Sequence, residues 1–220
     1  MMAKNDNYCS SWRSHEMKAF QLLEALYLIK ESPQSLVEIL NNNKYYNLPR
    51  WKTLNSWTKL TILCYFLIDK NEYKAFSLRF SREMMAKIQN DSKPLDYIRR
   101  KISQSLKKEL GYTPLYLFGI HNEDNGNIHI HGMIKIENNQ KAVTKTLKIA
   151  ACGRKYKTMS INKNILRITN LNCAYGWLKY IFKYKQYDEH IYVCRKLIQE
   201  NQKFYERMKR RLLRIKKNFI

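Results

Sequence analysis

The stretch LYLFGIHNEDNGNIHIHGMIKI, residues 115–136, decides the fold. Apolar residues alternate along both halves and a polar segment divides them. Residues 115–121 and 128–136 therefore read as two strands of a hairpin around 123–127, with Asn125-Gly126 in the turn. A tight two-residue turn would pair Asp124 with Asn127 and set Ile120 opposite His131. A longer or bulged turn instead groups Tyr116, Phe118 and Ile120 with Ile128, Ile130 and Ile134. It also leaves His121, His129 and His131 together on the other face. A slip of one residue turns every side chain over, so the apolar pattern selects the second register.

Outward from the hairpin the pattern is mixed. Phe76, Leu78 and Phe80 alternate with Ser77, Arg79 and Ser81, as in a strand. Pro94 opens a helix whose apolar stripe is Leu95, Ile98, Ile102, Leu106 and Leu110, and Gly111 closes it. Residues 140–151 read as helical, 158–168 as extended in part, 171–185 as a helix and 189–217 as a last, basic helix. Upstream, 16–68 reads as helical, with Ala19, Leu22, Leu23, Leu26 and Ile29 at helical spacing and a capping box at Ser35 and Glu38. A third helix is expected at 51–69, although TILCYFLI (61–68) also reads as a strand. The expectation is an α+β fold. A central antiparallel sheet carries the His-x-His motif on a middle strand, and helices pack on one face. Three segments follow: an N-terminal helical region (1–70), a sheet domain (71–188) and a basic C-terminal helix (189–220).

The chain has 220 residues, with 41 Lys and Arg against 18 Asp and Glu, a net charge of +23. Nucleic acid is the default partner of so cationic a surface. The longest apolar run, 61–68, is far short of the roughly 18–20 residues that span a bilayer, so no membrane partner is expected. No apolar h-region opens the sequence, so no signal peptide is expected. Five scattered cysteines without a CxxC favour a reducing cytoplasm over a disulfide framework.

His129 and His131 flank Ile130 and so point to one face of a strand, where two imidazoles can ligate a metal ion. Alone, such a pair is commonly an ordinary polar surface feature. His121 in matching parity raises it to a three-histidine metal site, with Glu123 as an added ligand or outer acceptor. In AYGWLKYIFKY (174–184), Tyr180 and Tyr184 lie one helical turn apart, with Trp177 one turn earlier. Tyr175, Leu178, Ile181 and Phe182 form a neighbouring apolar stripe, and Lys179 and Lys183 flank the tyrosines. A phenol, with a pKa near ~10, is a weak nucleophile at neutral pH unless a metal ion or lysine stabilises its anion.

These motifs together resemble the HUH endonucleases of the replication-initiator type found in rolling-circle plasmids and single-stranded DNA phages. FSLRFS (76–81) is similar to the family's first motif. His129-Ile-His131 matches its His-hydrophobic-His motif, and Tyr180-Ile-Phe-Lys-Tyr184 its two-tyrosine motif. The resemblance covers roughly residues 74–186. Many initiators place a glutamate eight residues before the first motif histidine. This chain has His121 there, an all-histidine set similar to that of conjugative relaxases.

The resemblance implies a divalent ion, Mg²⁺ or Mn²⁺, on His121, His129 and His131. It implies that Tyr180 attacks a scissile phosphate, giving a 5′-phosphotyrosine and a free 3′-OH, that Tyr184 makes the second transfer, and that Lys183 stabilises charge. It also implies single-stranded origin DNA as substrate, a host helicase and polymerase as partners, and the cytoplasm of a bacterial host as the location. The segment 195–217 holds ten Lys/Arg and two Glu. Leu197, Phe204, Met208, Leu212 and Ile215 supply its apolar side. Lys179, Arg207, Lys209, Arg210, Arg211 and Arg214 are the candidate backbone contacts. Two alternatives stand beside this reading. One is a relaxase or single-strand transposase with the same chemistry. The other is a nucleic-acid-binding protein without catalysis.

Overall fold

The computed structural model describes residues 49–68, 72–123, 126–137, 139–153, 165–182 and 190–219. A short 3-10 turn (Trp51–Thr53) precedes α1 (Ser56–Ile68), β1 (Tyr73–Arg79), α2 (Arg82–Gln89) and α3 (Pro94–Leu110). Then come β2 (Tyr116–Asn122), β3 (Ile128–Lys135), α4 (Gln140–Cys152), β4 (Leu166–Asn170), α5 (Ala174–Phe182), β5 (Ile191–Val193) and α6 (Arg195–Phe219).

The hairpin adopts the longer turn. The Glu123 amide donates to the Asn127 carbonyl at 3.0 Å and the Gly126 amide to the Glu123 carbonyl at 2.9 Å. Tyr116 therefore pairs with Ile134, Ile120 with Ile130 and His121 with His129. The five strands are antiparallel in the order β4-β1-β3-β2-β5, which puts the His-x-His strand in the middle.

Phe76, Leu78, Phe118, Ile130 and Ile134 share one face and are buried. Each such side chain contributes roughly 1.5–3 kcal/mol on leaving water. α3 covers this face with Ile98, Ile102 and Leu106, and its Ser103 hydroxyl lies 2.6 Å from the Tyr116 hydroxyl. Pro94 occupies the start of α3, and Gly111 ends it at φ 79°, a left-handed conformation that glycine adopts without steric cost. α4 packs beside α3.

α5 lies on the other face, so helices cover both faces rather than the expected one. The reason is Gly119. A Cβ there would stand 2.7 Å from Cγ2 of Ile181, so only glycine lets this helix settle on the sheet.

Locally, one gap is filled, one expected helix is found and one reading is corrected. Residues 82–89, unassigned from the sequence, form α2, opened by the Ser81 hydroxyl accepting from the Met84 amide at 3.3 Å. The stretch 61–68 is helical, within α1. Residues 191–193 leave the expected last helix and form an edge strand on Leu117–Gly119. There the Tyr192 ring sits 5.3 and 5.4 Å from those of Tyr116 and Phe118. The helices expected within 16–48, the Ser35–Glu38 box, the extended reading of 158–164 and positions 183–185 lie outside the described residues.

The chain divides into a unit Lys70–Leu197, which holds the sheet, and a unit of Met1–Asp69 with Ile198–Ile220. In the latter, α1 buries Leu60, Ile62, Leu63 and Leu67. The inner face of α6 is partly polar. The buried Asn201 donates to the Lys59 carbonyl at 2.8 Å and the buried Tyr205 to the Pro49 carbonyl at 2.9 Å. Phe204, expected on the apolar side, is only half-buried, because the satisfied Tyr205 hydroxyl lets that ring take the inner position. No helix among the described residues is long and apolar enough to cross a membrane.

Candidate metal and tyrosine site

Antiparallel register assembles the histidines. His121 faces His129 across the hairpin, and His131 stands between Gly119 on one side and Ser77 on the other. Each offers one ring nitrogen, and these three atoms lie within 4.8 Å of one another. Ring centroids are 4.8 Å apart for His121–His131 and for His129–His131, and 5.6 Å for His121–His129.

Two of the rings are held by hydrogen bonds from outside the cluster, and the third faces a carboxylate. The Ser77 hydroxyl lies 2.7 Å from Nδ1 of His131. Nε2 of His121 donates to the Ile181 carbonyl at 3.0 Å. Oε1 of Glu123 stands 3.8 Å from Nδ1 of His129, and the same oxygen accepts from Arg79 at 3.0 Å. Outer partners of this kind fix ring orientation and tautomer in metal sites. Burial, reinforced by His121, His129 and Arg79, pushes the His131 imidazole down to about 3, so it is neutral and keeps a lone pair for ligation. Three oriented nitrogen donors within one ligand sphere fit a divalent ion.

The tyrosine comes from α5. Its first turn is capped by Cys173, whose carbonyl accepts from Trp177 at 3.0 Å and whose thiol accepts from Gly176 at 3.2 Å. Leu178 and Ile181 are buried against the sheet. Trp177 and Tyr180, one turn apart, face the histidines. The Trp177 indole donates to the Gly132 carbonyl at 2.9 Å, which fixes that ring. Tyr180 is then stacked between Trp177 at 5.4 Å and His121 at 5.7 Å, with interplanar angles of 21° and 19°. Its hydroxyl is left at the open edge, 3.5 Å from Nε2 of His131. The residue remains 45% exposed, so a ligand can reach it.

The site opens into a cleft of about 640 Å³ lined by Arg79, Glu123, His129, His131, Arg167 and Tyr180. A recess of about 320 Å³ that shares Ser77, His131, Arg167 and Tyr180 with it is also lined by Ala75, Thr169 and Trp177. The cleft is therefore polar, open and carries two guanidinium groups.

Of the residues singled out from the sequence, His121, His129, His131 and Tyr180 come together. Glu123 stands outside the three nitrogens as a carboxylate beside His129. Lys179 is exposed on α5. Lys183 and Tyr184 lie outside the described residues. Arg207, Arg210, Arg211 and Arg214 are exposed on α6 in the other unit, whereas Lys209 is turned to the Pro49 carbonyl at 3.3 Å. The roles of Ser77, Arg79 and Arg167 were not read from the sequence. For Ser77 and Arg79 the signal was present. They are the polar positions of an alternating strand, and pairing that strand with the His-x-His strand puts them on the histidine face. Arg167 lies in a stretch with no clear periodicity.

In comparisons with known proteins, no family model, curated protein or solved structure matches the chain.

Proposed function

We propose that this protein is a metal-dependent, tyrosine-based DNA endonuclease and strand transferase that initiates replication on single-stranded origin DNA. The observation that carries this reading is the Tyr180 hydroxyl, stacked in place and 3.5 Å from His131 in a three-histidine cluster. His121, His129 and His131 would hold a divalent ion, Mg²⁺ or Mn²⁺, which would supply Lewis-acid polarisation of a scissile phosphate. Ser77 and the Ile181 carbonyl hold two of the rings, and Glu123 faces the third. Trp177 and His121 stack on the tyrosine ring, and its hydroxyl lies beside His131.

In the reaction a bond forms between Oη of Tyr180 and phosphorus, and the bond from phosphorus to the 3′ oxygen breaks. The phenol proton ends on that oxygen. The products are a 5′-phosphotyrosine and a free 3′-OH able to prime a polymerase. The reverse transfer rejoins ends, and Tyr184, with Lys183 beside it, serves the second cleavage. A helicase of the bacterial host would open the duplex, placing the reaction in the cytoplasm. The exposed cations of α6 hold the DNA backbone without reading sequence.

The test is a denaturing gel after incubation with Mn²⁺ and a mixed pool of single-stranded oligonucleotides, including hairpins. The expected result is a covalent protein–DNA adduct that is lost in the Tyr180→Phe/Tyr184→Phe double variant. Absence of any adduct, with salt-sensitive binding retained, favours a binding protein without catalysis. Full strand transfer by Tyr184→Phe favours a single-tyrosine relaxase or transposase.

A further inference from the structure

Arg167 stands on the edge strand β4, directly across from Ser77 of β1, and Ser77 stands directly across from His131 of β3. One rung of the sheet thus reads Arg167, Ser77, His131, Gly119, with all four on the face that carries the histidines. Two strand spacings, about 10 Å, separate the Arg167 and His131 backbones. A long side chain rooted there can reach over Ser77 toward the histidines. Arg167 lines both the cleft and the recess, each time in company with His131 and Tyr180.

The two guanidinium groups of the cleft differ. Arg79 is ion-paired with Glu123 at 3.0 Å, and that carboxylate also faces His129. Its charge is already matched. Arg167 is exposed, and its guanidinium has no hydrogen-bond or ion-pair partner among the described residues. It is a bare planar fork of donors beside a nucleophile and three metal-ligating nitrogens.

We infer that Arg167 is a catalytic residue. On the reading of the protein as a tyrosine endonuclease, its guanidinium binds the non-bridging oxygen of the scissile phosphate on the β4 side, opposite the histidine cluster. Attack by the phenol oxygen spreads charge over the equatorial oxygens of the phosphoryl group, and a fork of N–H donors on one of them is strongest when that charge is largest. The bridging bonds change as in the nicking step itself, and Arg167 neither gains nor loses a proton. Lysine is a poor replacement, because it offers a point charge in place of two parallel donors.

The experiment measures single-turnover adduct formation with Mn²⁺ for the whole chain and for Arg167→Gln and Arg167→Lys. Oligonucleotide affinity is measured in parallel by anisotropy in a Tyr180→Phe background. Arg167→Gln is expected to slow the adduct step by about a hundredfold or more, the usual cost of losing one donor to a developing oxyanion. Affinity for the uncut strand should change by only about threefold, as for a contact made mainly in the transition state. Arg167→Lys should recover only part of the rate, and free guanidinium added to Arg167→Gln should restore some of it. A purely structural role for Arg167 gives no such rescue. Adduct formation by the parent chain with an equal rate in Arg167→Gln overturns this role and leaves the endonuclease reading intact. No adduct from the parent chain under any condition removes both.

Discussion

The two faces of the sheet are made by the same strands, one residue out of step. On one stand Phe76, Leu78, Phe118, Ile130 and Ile134, none more than 1% exposed. On the other stand Ser77, Arg79, His129 and His131, which line a cleft, and His121 beside them. The first face is held by apolar burial and tolerates little change of volume. The second also buries Leu117 and Met133, and two of its histidines are placed by directed contacts to individual ring nitrogens. A single variable, the hairpin register, sets both, so the apolar face fixes the polar one without any attraction among the histidines.

Substitutions that act on one face and spare the other test this division. The largest effect is expected from Gly132→Ala, because a Cβ there would meet the Leu117 carbonyl and stand 2.5 Å from the Phe76 ring. Overpacking of this kind costs about 3 kcal/mol and should lower Tm by roughly 6–12 °C in thermal denaturation. An unchanged Tm would break the comparison. Next is His129→Ala, which should weaken Mn²⁺ binding by about a hundredfold or more in calorimetric titration while the metal-free protein loses no more than ~1 kcal/mol of stability. Gly119→Ala pushes Ile181 and its helix off the histidine face. It should slow adduct formation by roughly ten- to a hundredfold, the cost of misplacing a nucleophile by about 1 Å. The smallest effect is expected from Ser77→Ala, which frees the His131 ring and should weaken Mn²⁺ binding by about tenfold. If Ser77→Ala instead destabilised the fold as much as Gly132→Ala, the two faces would not be separable in function.

The sequence was most legible where one pattern had a single physical outcome. Alternation in 115–136 admitted two registers, and only one kept Tyr116, Phe118 and Ile120 with Ile130 and Ile134, so the three-histidine grouping was readable in advance. Pro94 and Gly111 marked α3 because each has a conformational preference that few residues share. Less was readable where partners decide the outcome. Ile191-Tyr-Val193 is too short to declare itself a strand and, by sequence, runs into a strongly charged helix. Its pairing with Leu117–Gly119 becomes visible only once β2 exists. Arg167 had no signal of its own, since its place depends on β4 lying beside β1. The layering of helices on both faces turned on the missing side chain of Gly119, a fact about Ile181 as much as about glycine.

His121 belongs to two assemblies at once. One ring nitrogen is available to the cluster, while Nε2 holds the carbonyl of Ile181, the residue that follows Tyr180. Anything that fixes this imidazole also fixes the end of α5, and any strand that draws on the tyrosine pulls on a ligand. If an ion and a DNA strand both act through this imidazole, linkage requires that each change the other's affinity by the same factor. On the endonuclease reading, one imidazole then ties metal affinity to the seating of the strand, a selective device for a protein whose charge of +23 attracts polyanions of every kind.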